Sequence, residues 1–240
     1  ITSRRLYYVL IPLMMLCLLT LAAQRWAIQW AVECIVASQG NKITFEETSG
    51  SFFHEFKAEK IVYEGVERDI TMKGLVFHWN PFHLLYGKAA IDEISVTELS
   101  IDLKRSSTEP LKLPESLALP FSLSVEKIAI DSLSVKKLGM GPMLKNVHSA
   151  LIAKDGQWHL NELGFDSAFG TVVMNASLQM EKPFALSGRI QVDNTDVDAH
   201  LVMDAKGTLD QMQLSGVLSG YGATGELKAE ITPFESFIFN

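Results

Sequence analysis

The histidines and cysteines are the residues whose side chains could most directly hold a metal ion. Cys17 and Cys34 make no C-x-x-C pair, and the chain contains no H-E-x-x-H pattern. His78 and His83 flank Trp79–Phe82, which the sequence predicts at a strand-to-helix corner. The other four histidines are scattered and have no carboxylate at ligand spacing: His54, His148, His159 and His200. We therefore predict no metal site.

A glycine-rich segment, residues 220–225, reads GYGATG and matches the G-x-G-x-x-G pattern of dinucleotide-binding proteins. That pattern works because a helix N-terminus follows the glycines and receives the pyrophosphate. Here residues 226–232 read ELKAEIT, an alternation typical of a strand, and Pro233 follows. We predict a hairpin turn at this position, with no nucleotide and no cofactor.

Catalytic patterns are weak elsewhere in the chain. Asp193, Asp196 and Asp198 do not form a calcium loop, because Thr195 and Val197 stand at ligand positions. The sequence contains no G-x-S-x-G and no P-loop, although a Ser–His–Asp triad meets only in three dimensions and stays open. We expect a protein that is not an enzyme.

Composition indicates a folded, acidic chain. Its 240 residues are 48% hydrophobic, with 21 basic and 28 acidic side chains and a net charge of −7. Residues 1–36 carry three arginines and one glutamate, so the remainder carries a net charge of −9. We predict no nucleic-acid partner, because such binding is driven by basic residues that neutralise phosphates.

An uncharged apolar segment, residues 6–23, predicts a transmembrane helix near the N-terminus. Its eighteen residues are just long enough to cross a hydrocarbon core of about 30 Å. A cleaved signal peptide is the alternative, but its apolar region is usually only about 7–15 residues long. Arg4 and Arg5 precede the segment, which predicts a cytoplasmic N-terminus and an extracytoplasmic body. The predicted anchor residues are Leu6, Tyr7, Tyr8, Leu10, Leu13, Leu16, Leu19, Leu21 and Trp26.

The rest of the chain shows the period-two alternation of β-strands. Twelve strands are predicted, separated by turn residues such as Asp155 and Gly156. Short helices are predicted only at 24–37 and at 81–86, where Asn80 can cap and Gly87 can end the helix. The predicted strands are 42–47, 56–64, 70–79, 89–104, 121–138, 147–153, 157–163, 171–180, 185–192, 199–205, 211–218 and 225–232.

Two of these strands contain a repeat at a constant offset of 34 residues. Both sets of apolar residues have the spacing 3, 2, 3, 2, which scatters around a helix but fits strands with one extra residue at each step of three. We predict that these residues share one apolar face that must be covered. A closed β-sandwich would cover it with a second sheet, and an open groove would cover it with apolar ligand. The residues are Ile91, Ile94, Val96, Leu99, Ile101, Val125, Ile128, Ile130, Leu133 and Val135.

Three stretches carry a resemblance to a known family. Residues 49–65 combine Ser-Gly with SFFHEFKAEKIVYEG, residues 78–103 contain a W-x-P-x-x-L-L-x-G motif, and residues 117–135 repeat the strand that follows this motif. In these stretches the chain resembles the N-terminal part of the TamB family, within the wider AsmA-like group. Members of that family run far beyond 240 residues, so we expect a fragment, a truncated product or a short relative.

The resemblance implies a mainly β fold, in which an N-terminal transmembrane helix precedes an elongated, twisted β-sheet groove. Such a protein would be anchored in the inner membrane and would conduct phospholipid acyl chains across the periplasm to the outer membrane. It also implies an Omp85-type outer-membrane barrel as a possible partner. An assembly module that presents strand edges to barrel proteins is the alternative. The predicted ranges are 1–36 for the anchor, 37–109 and 121–240 for two β-blocks, and 110–120 for a proline-containing linker.

Overall fold

The computed structural model describes residues 32–33, 36, 40–51, 54–104, 114–137 and 140–232. The predicted transmembrane segment and its anchor residues, from Leu6 to Trp26, lie outside these ranges. Within the predicted helix at 24–37, the described residues Val32, Glu33 and Val36 are helical. No helix in the described ranges combines the length and the apolar character needed to cross a bilayer.

Twelve strands follow one another along the described chain, each overlapping one of the twelve predicted segments. The N-terminal strands are β1 (Lys42–Gly50), β2 (Glu55–Glu64), β3 (Arg68–Asn80), β4 (Lys88–Leu103), β5 (Ser122–Lys137) and β6 (Met143–Lys154). The C-terminal strands are β7 (Gln157–Ser167), β8 (Gly170–Gln179), β9 (Ala185–Asn194), β10 (Ala199–Thr208), β11 (Met212–Gly220) and β12 (Ala223–Ile231).

All twelve strands belong to one sheet whose spatial order equals their sequence order. Neighbouring strands are antiparallel except for β4 and β5, which run parallel. In the described part of the chain each strand packs mainly against its neighbours in the sheet, so no second β-layer covers a face. The closed sandwich is therefore wrong, and the open sheet is confirmed. Both predicted β-blocks lie in this sheet, while the division at 110–120 stays a prediction.

Tight turns join most of the antiparallel strands, as the turn residues predict. Asp155 and Gly156 connect β6 to β7 with φ angles of 52° and 76°, and positive φ is typical of two-residue hairpin turns. Tyr221 and Gly222 connect β11 to β12 in the same way, with φ angles of 50° and 75°. The glycine-rich segment is therefore a hairpin turn followed by a strand, as predicted.

A 3-10 helix, Pro81–Tyr86, joins β3 to β4. The side chain of Asn80 accepts a hydrogen bond from the backbone N–H of Phe82 at 3.1 Å, and Pro81 occupies the first turn. Gly87 ends the helix in the left-handed conformation, with φ 68°. These caps are the ones predicted from the sequence. We call the strand ends on this side of the sheet the helix rim, and those on the other side the opposite rim.

A long connection carries the chain from the end of β4 to the start of β5, because parallel strands need a crossover. Its described part, residues 114–121, returns along the helix rim and contacts the connection between β8 and β9. The backbone N–H of Leu117 donates to the carbonyl of Met180 at 2.8 Å, and the Ser116 hydroxyl donates to the Glu181 carboxylate at 2.7 Å. We call residues 114–121 the strap.

Candidate functional site

The ten apolar repeat residues form five cross-strand pairs between β4 and β5. The two copies of the repeat lie side by side in parallel and in register, so each residue faces the one 34 positions later. Residues paired in register point to the same face of a sheet. The structure therefore brings all ten together on one face. The pairs are Ile91 with Val125, Ile94 with Ile128, Val96 with Ile130, Leu99 with Leu133, and Ile101 with Val135.

Each step of three in the repeat contains one residue on each strand that the β4–β5 backbone pairing skips. Asp92 and Glu126 fall between the first two pairs, and Thr97 and Asp131 fall between the third and fourth. Since both strands carry the extra residue at the same height, the offset of 34 is preserved along their whole length. The pairing thus skips one residue on each strand at each step of three, as the spacing predicts, while the register between the two strands stays constant.

The same face continues across the sheet, and we call it the apolar face. One row of apolar residues runs along the hydrogen-bonding direction from β3 to β12 without a polar side chain. Eleven inter-strand spacings of about 4.8 Å make the whole face roughly 50 Å long when measured along the sheet. The row is Trp79, Ile91, Val125, Leu151, Leu160, Ala176, Gly188, Ala205, Leu214 and Ala229.

Sequence reasoning missed most of this face outside β4 and β5. One further row is Phe45, Ile61, Met72, Leu99, Leu133 and Leu144. Another, on the C-terminal strands, is Leu163, Met174, Ile190, Met203, Gly216 and Leu227. The sequence does contain a signal for these rows, because the same step of three between apolar residues separates Ala58 from Ile61 on β2 and Met72 from Leu75 on β3.

Several residues of the apolar face are buried. Val96 and Val125 are only 3% and 4% exposed, and Ala58 and Ala205 are also buried, although no described second layer lies on them. The other eight repeat residues are half-buried. The face is thus an apolar surface of an open sheet, on which no second β-layer lies in the described part of the chain.

The opposite face of the sheet is polar and carries cross-strand ion pairs. Lys73 Nζ lies 2.8 Å from Glu98 Oε2, and Lys127 Nζ lies 2.7 Å from Glu93 Oε1. On the C-terminal strands, Arg189 Nε lies 2.8 Å from Asp204 Oδ1. Exposed pairs of this kind contribute little stability, but they show which face of the sheet is turned to water.

Two carboxyl groups of the sheet illustrate how its charges are arranged. The hydrogen bond from Arg189, supported by its charge, holds the pKa of the Asp204 carboxyl below its ordinary value. The pKa of Glu59 is raised, first by a hydrogen bond with Glu47 and then by the negative charge of that neighbour. Glu47 and Glu59 lie opposite each other at the one position that the β1–β2 backbone pairing skips.

Gly74 is the corresponding residue of β3, and it lies against Thr97 of β4. Its φ of 63° is in the left-handed region, and a Cβ placed on it would overlap the Thr97 hydroxyl. A line of residues skipped by the backbone pairing therefore crosses β1 to β5, from Glu47 to Asp131.

The strap closes part of the apolar face at the helix rim. The indole N–H of Trp158, which lies on the apolar face, donates to the carbonyl of Leu117 at 3.2 Å. Met180 and Phe184, in the connection between β8 and β9, are among the most buried residues of the described chain. The strap and this connection therefore border the apolar face between β5 and β9.

The histidines do not assemble a metal centre in the described residues, where no group of three or more potential ligands converges. The nearest arrangement is a short chain of polar contacts at the helix rim. His78 Nε2 lies 3.3 Å from His54 Nδ1, and His78 Nδ1 lies 3.3 Å from a carboxylate oxygen of Asp92. At the opposite rim, where β9 ends and β10 begins, His200 contacts Asp193.

A comparison with protein families gives one match. Residues 10–166, more than half of the chain, match the family described as TamB, N-terminal domain. The matched range ends within β7, so strands β8 to β12 lie beyond it. No curated protein and no solved structure matches the chain.

Proposed function

The chain belongs to the TamB family, whose N-terminal domain it contains, and on this basis we propose that its apolar face is a groove for phospholipid acyl chains. In this proposal the groove conducts phospholipid between the inner and outer membranes of a cell envelope. The family is generally associated with the envelope. The proposed function is physical transfer, with no enzymatic step, no nucleotide and no nucleic acid.

The uninterrupted apolar row from Trp79 to Ala229 is the observation that carries the proposal. Transfer of an acyl chain through water is opposed by about 0.8 kcal/mol for each exposed CH₂ group. An apolar surface lowers that cost at every position along its length. Because the lining is similar from strand to strand, a chain sliding along it would meet no deep energy minimum.

The proposed arrangement in the envelope combines the fold with the sequence. Residues 6–23 would anchor the protein in the inner membrane, with the N-terminus in the cytoplasm and the sheet in the periplasm. The backbone N–H of Asn41 donates to the carbonyl of Val36 at 3.2 Å, so the helical residue Val36 lies beside the start of β1. Strands β1 to β12 would then lead away from the inner membrane, and an Omp85-type barrel is the proposed partner at the far end.

A vesicle assay tests the proposed function. The full chain is added to donor vesicles containing a fluorescent phospholipid and to acceptor vesicles, and transfer is followed by dequenching. Leu133→Arg is expected to reduce the transfer rate to background, because a charge in an apolar groove is costly to desolvate. Ser132→Arg is the matched control, since Ser132 is paired with Glu98 on the polar face. Wild-type transfer by Leu133→Arg would contradict the proposal.

A second candidate function is envelope assembly through strand-edge pairing. Strands β1 and β12 are the edges of the sheet, each paired on one side only within the described residues. An edge strand presents unpaired N–H and C=O groups that can bind a strand of another protein. Proline substitutions on the free side of an edge would abolish this function and leave lipid transfer unchanged. Envelope assembly that survives these proline substitutions would favour the groove.

A further inference from the structure

The apolar face carries two charged side chains among its positions in the described strands, and both are basic. They are Arg68 on β3 and Lys137 on β5, two positions along their strands from Ile70 and Val135. Arg68 is paired with Leu103 on β4, and Leu103 is paired with Lys137, so the three side chains point to the same side of the sheet. The chain has 28 acidic residues, but none of them occupies this face in the described strands.

Both charges lie at the border of the apolar face. Arg68 is the first residue of β3 and Lys137 is the last residue of β5, so both lie at the opposite rim, where β1 also begins. Both are exposed, while Leu103 between them is half-buried. Two inter-strand spacings place the backbones of Arg68 and Lys137 roughly 10 Å apart. Two long basic side chains can therefore reach one anionic group held above Leu103.

A neutral donor, the hydroxyl of Tyr63, lies beside these charges. Tyr63 on β2 is paired with Ile70, so its ring belongs to the apolar face, where it is half-buried. A Cβ placed on Gly65 would lie 3.1 Å from the Tyr63 hydroxyl oxygen, and Gly65 belongs to the turn that leads to Arg68. The hydroxyl is therefore at the rim, on the same side as the two basic residues. We call Tyr63, Arg68 and Lys137 the rim site.

The surface inward from the rim site is apolar on every strand from β1 to β5. Two residues along a strand advance about 7 Å, so the first apolar row lies at that depth and a second row follows. A group of negative charge at the rim and hydrocarbon further in are the two parts of an amphiphile that lies along the strands. The rows are Ile43, Tyr63, Ile70, Ile101 and Val135, and then Phe45, Ile61, Met72, Leu99 and Leu133.

Acidic side chains at the same rim point to the other face. Glu64, Asp69 and Asp102 form one cross-strand row that is one residue out of phase with the rim site, so they lie on the polar face. Lys42 Nζ lies 3.7 Å from Glu64 Oε2 on that face. Lys104 Nζ lies 2.6 Å from Asp69 Oδ1. The two faces therefore differ in charge at this rim, and the apolar side is the positive one.

Glu67, in the turn before β3, is the acidic residue that contacts the rim site. Its Oε2 lies 3.8 Å from Arg68 Nη2, and the two side chains are 61% and 55% exposed. An exposed pair of this kind contributes little stability, so Arg68 can exchange the contact for another anion. Lys137 forms no ion pair within the described part of the chain. An anion at the rim site therefore meets at least one cation that has no carboxylate partner to lose.

We propose that the rim site binds the phosphate of a phospholipid whose acyl chains lie on the apolar face. Arg68 and Lys137 donate charge-assisted hydrogen bonds to the phosphate oxygens, and the Tyr63 hydroxyl donates a neutral one. Because the site lies at the rim where β1 begins, it takes up lipid at the inner-membrane end of the sheet in the proposed arrangement. The inference rests on the proposed function, since it needs acyl chains on the apolar face. It adds a preference for lipids that carry a phosphate, which an apolar groove alone does not have.

Photo-crosslinking with two lipids tests the proposal. The full chain, in micelles of an uncharged detergent, is mixed with phosphatidylglycerol or with diacylglycerol, each carrying the same photoreactive group in the same acyl chain. Diacylglycerol has the tails but lacks the phosphate. We expect about tenfold more adduct with phosphatidylglycerol, as hydrogen bonds to charged groups imply. Arg68→Gln with Lys137→Gln should lower the phosphatidylglycerol adduct about tenfold and leave the diacylglycerol adduct unchanged.

Two double variants serve as controls. Lys42→Gln with Lys136→Gln removes the same charge from the same rim, but both residues lie on the polar face, paired with Glu64 and Asp102. It should leave both adducts unchanged. Arg68→Lys with Lys137→Arg keeps both charges and should keep the preference for phosphatidylglycerol.

Three results would overturn the proposal. An equal loss of phosphatidylglycerol adduct in the two glutamine double variants would mean that the charge of the rim attracts the lipid without a site. Equal adducts with the two lipids in the wild type would remove the phosphate preference, while the diacylglycerol adducts would leave the acyl-chain groove standing. The absence of adducts with either lipid would overturn both the rim site and the proposed function.

Discussion

Leu99 and Leu133 face each other in register on the parallel strands β4 and β5, one repeat apart in the chain. The pair is part of a row that continues to Phe45 on one side and to Leu144 on the other. A local sequence repeat is thereby converted into a lateral apolar stripe, because parallel pairing keeps each residue beside its equivalent. This geometry is what a continuous groove lining requires.

The contact between Gly74 and Thr97 predicts a specific cost of substitution. Gly74→Ala is expected to destabilise the protein by more than Gly87→Ala, for which the left-handed backbone alone costs about 1–2 kcal/mol. A methyl group at Gly74 overlaps the Thr97 hydroxyl, whereas a methyl group at Gly87 meets open space. Urea unfolding of the two variants checks this difference.

The double variant Gly74→Ala with Thr97→Ala separates backbone strain from the overlap. It should recover most of the excess, since the overlap with the hydroxyl is removed and the tightest side-chain contact that remains is 3.1 Å, to the Cβ of residue 97. If Gly74→Ala and Gly87→Ala cost the same amount of unfolding free energy, the close approach of Thr97 to Gly74 does not constrain the sheet.

The strap should loosen when its bond to the apolar face is removed. Trp158→Phe eliminates the indole donor to the Leu117 carbonyl, a loss of about 0.5–1.5 kcal/mol for a typical hydrogen bond. The Leu117 amide, which donates to Met180, should then exchange with deuterium more quickly. Amides of β4 serve as the internal control. Unchanged exchange at Leu117 would mean that other contacts hold the strap.

Acid should weaken the sheet through the Arg189–Asp204 pair. The pKa of Asp204 is lowered by Arg189, so the unfolded chain binds a proton at a higher pH than the folded chain. The stability due to this pair is therefore fully present above the ordinary pKa of 3.8 and is lost as the pH falls through the folded value. The effect is small because both side chains are exposed.

The control for this pH dependence is Arg189→Gln, which removes the charge but keeps a polar side chain. The difference in urea midpoint between wild type and variant should be measurable at about pH 6 and should shrink toward about pH 3. A difference that stays constant over this range would show that Arg189 acts through something other than the Asp204 carboxylate.

The alternation of residue types was sufficient to predict the strands, and the capping and turn residues were sufficient to predict the short helix and the hairpin turns. Asp155 with Gly156, and Asn80 with Gly87, act locally, so their effect can be read without knowing the neighbours. Alternation also assigns a residue to one of two faces. It does not say which strand lies beside which, because every apolar strand can pair with any other.

The open sheet and the extent of the apolar face were therefore not predictable in the same way. On β1 the step of three separates Phe45 from Thr48, and Gly50 follows two residues later. Thr48 and Gly50 therefore occupy the apolar face without being large apolar residues. On β8 to β10 the long row consists of Ala176, Gly188 and Ala205, which give a weak apolar signal. These residues become recognisable as one surface only when the register is known.

Photo-crosslinking from β5 tests most directly whether acyl chains occupy the apolar face. A photoreactive amino acid is placed at Leu133 in the full chain in intact membranes, and at Ser134 as the adjacent control. Ser134 lies on the polar face, where its hydroxyl donates to Ser100 at 3.1 Å. We predict phospholipid adducts at Leu133 and none at Ser134. Adducts at neither position in the folded protein, or equal adducts at both, would contradict the groove.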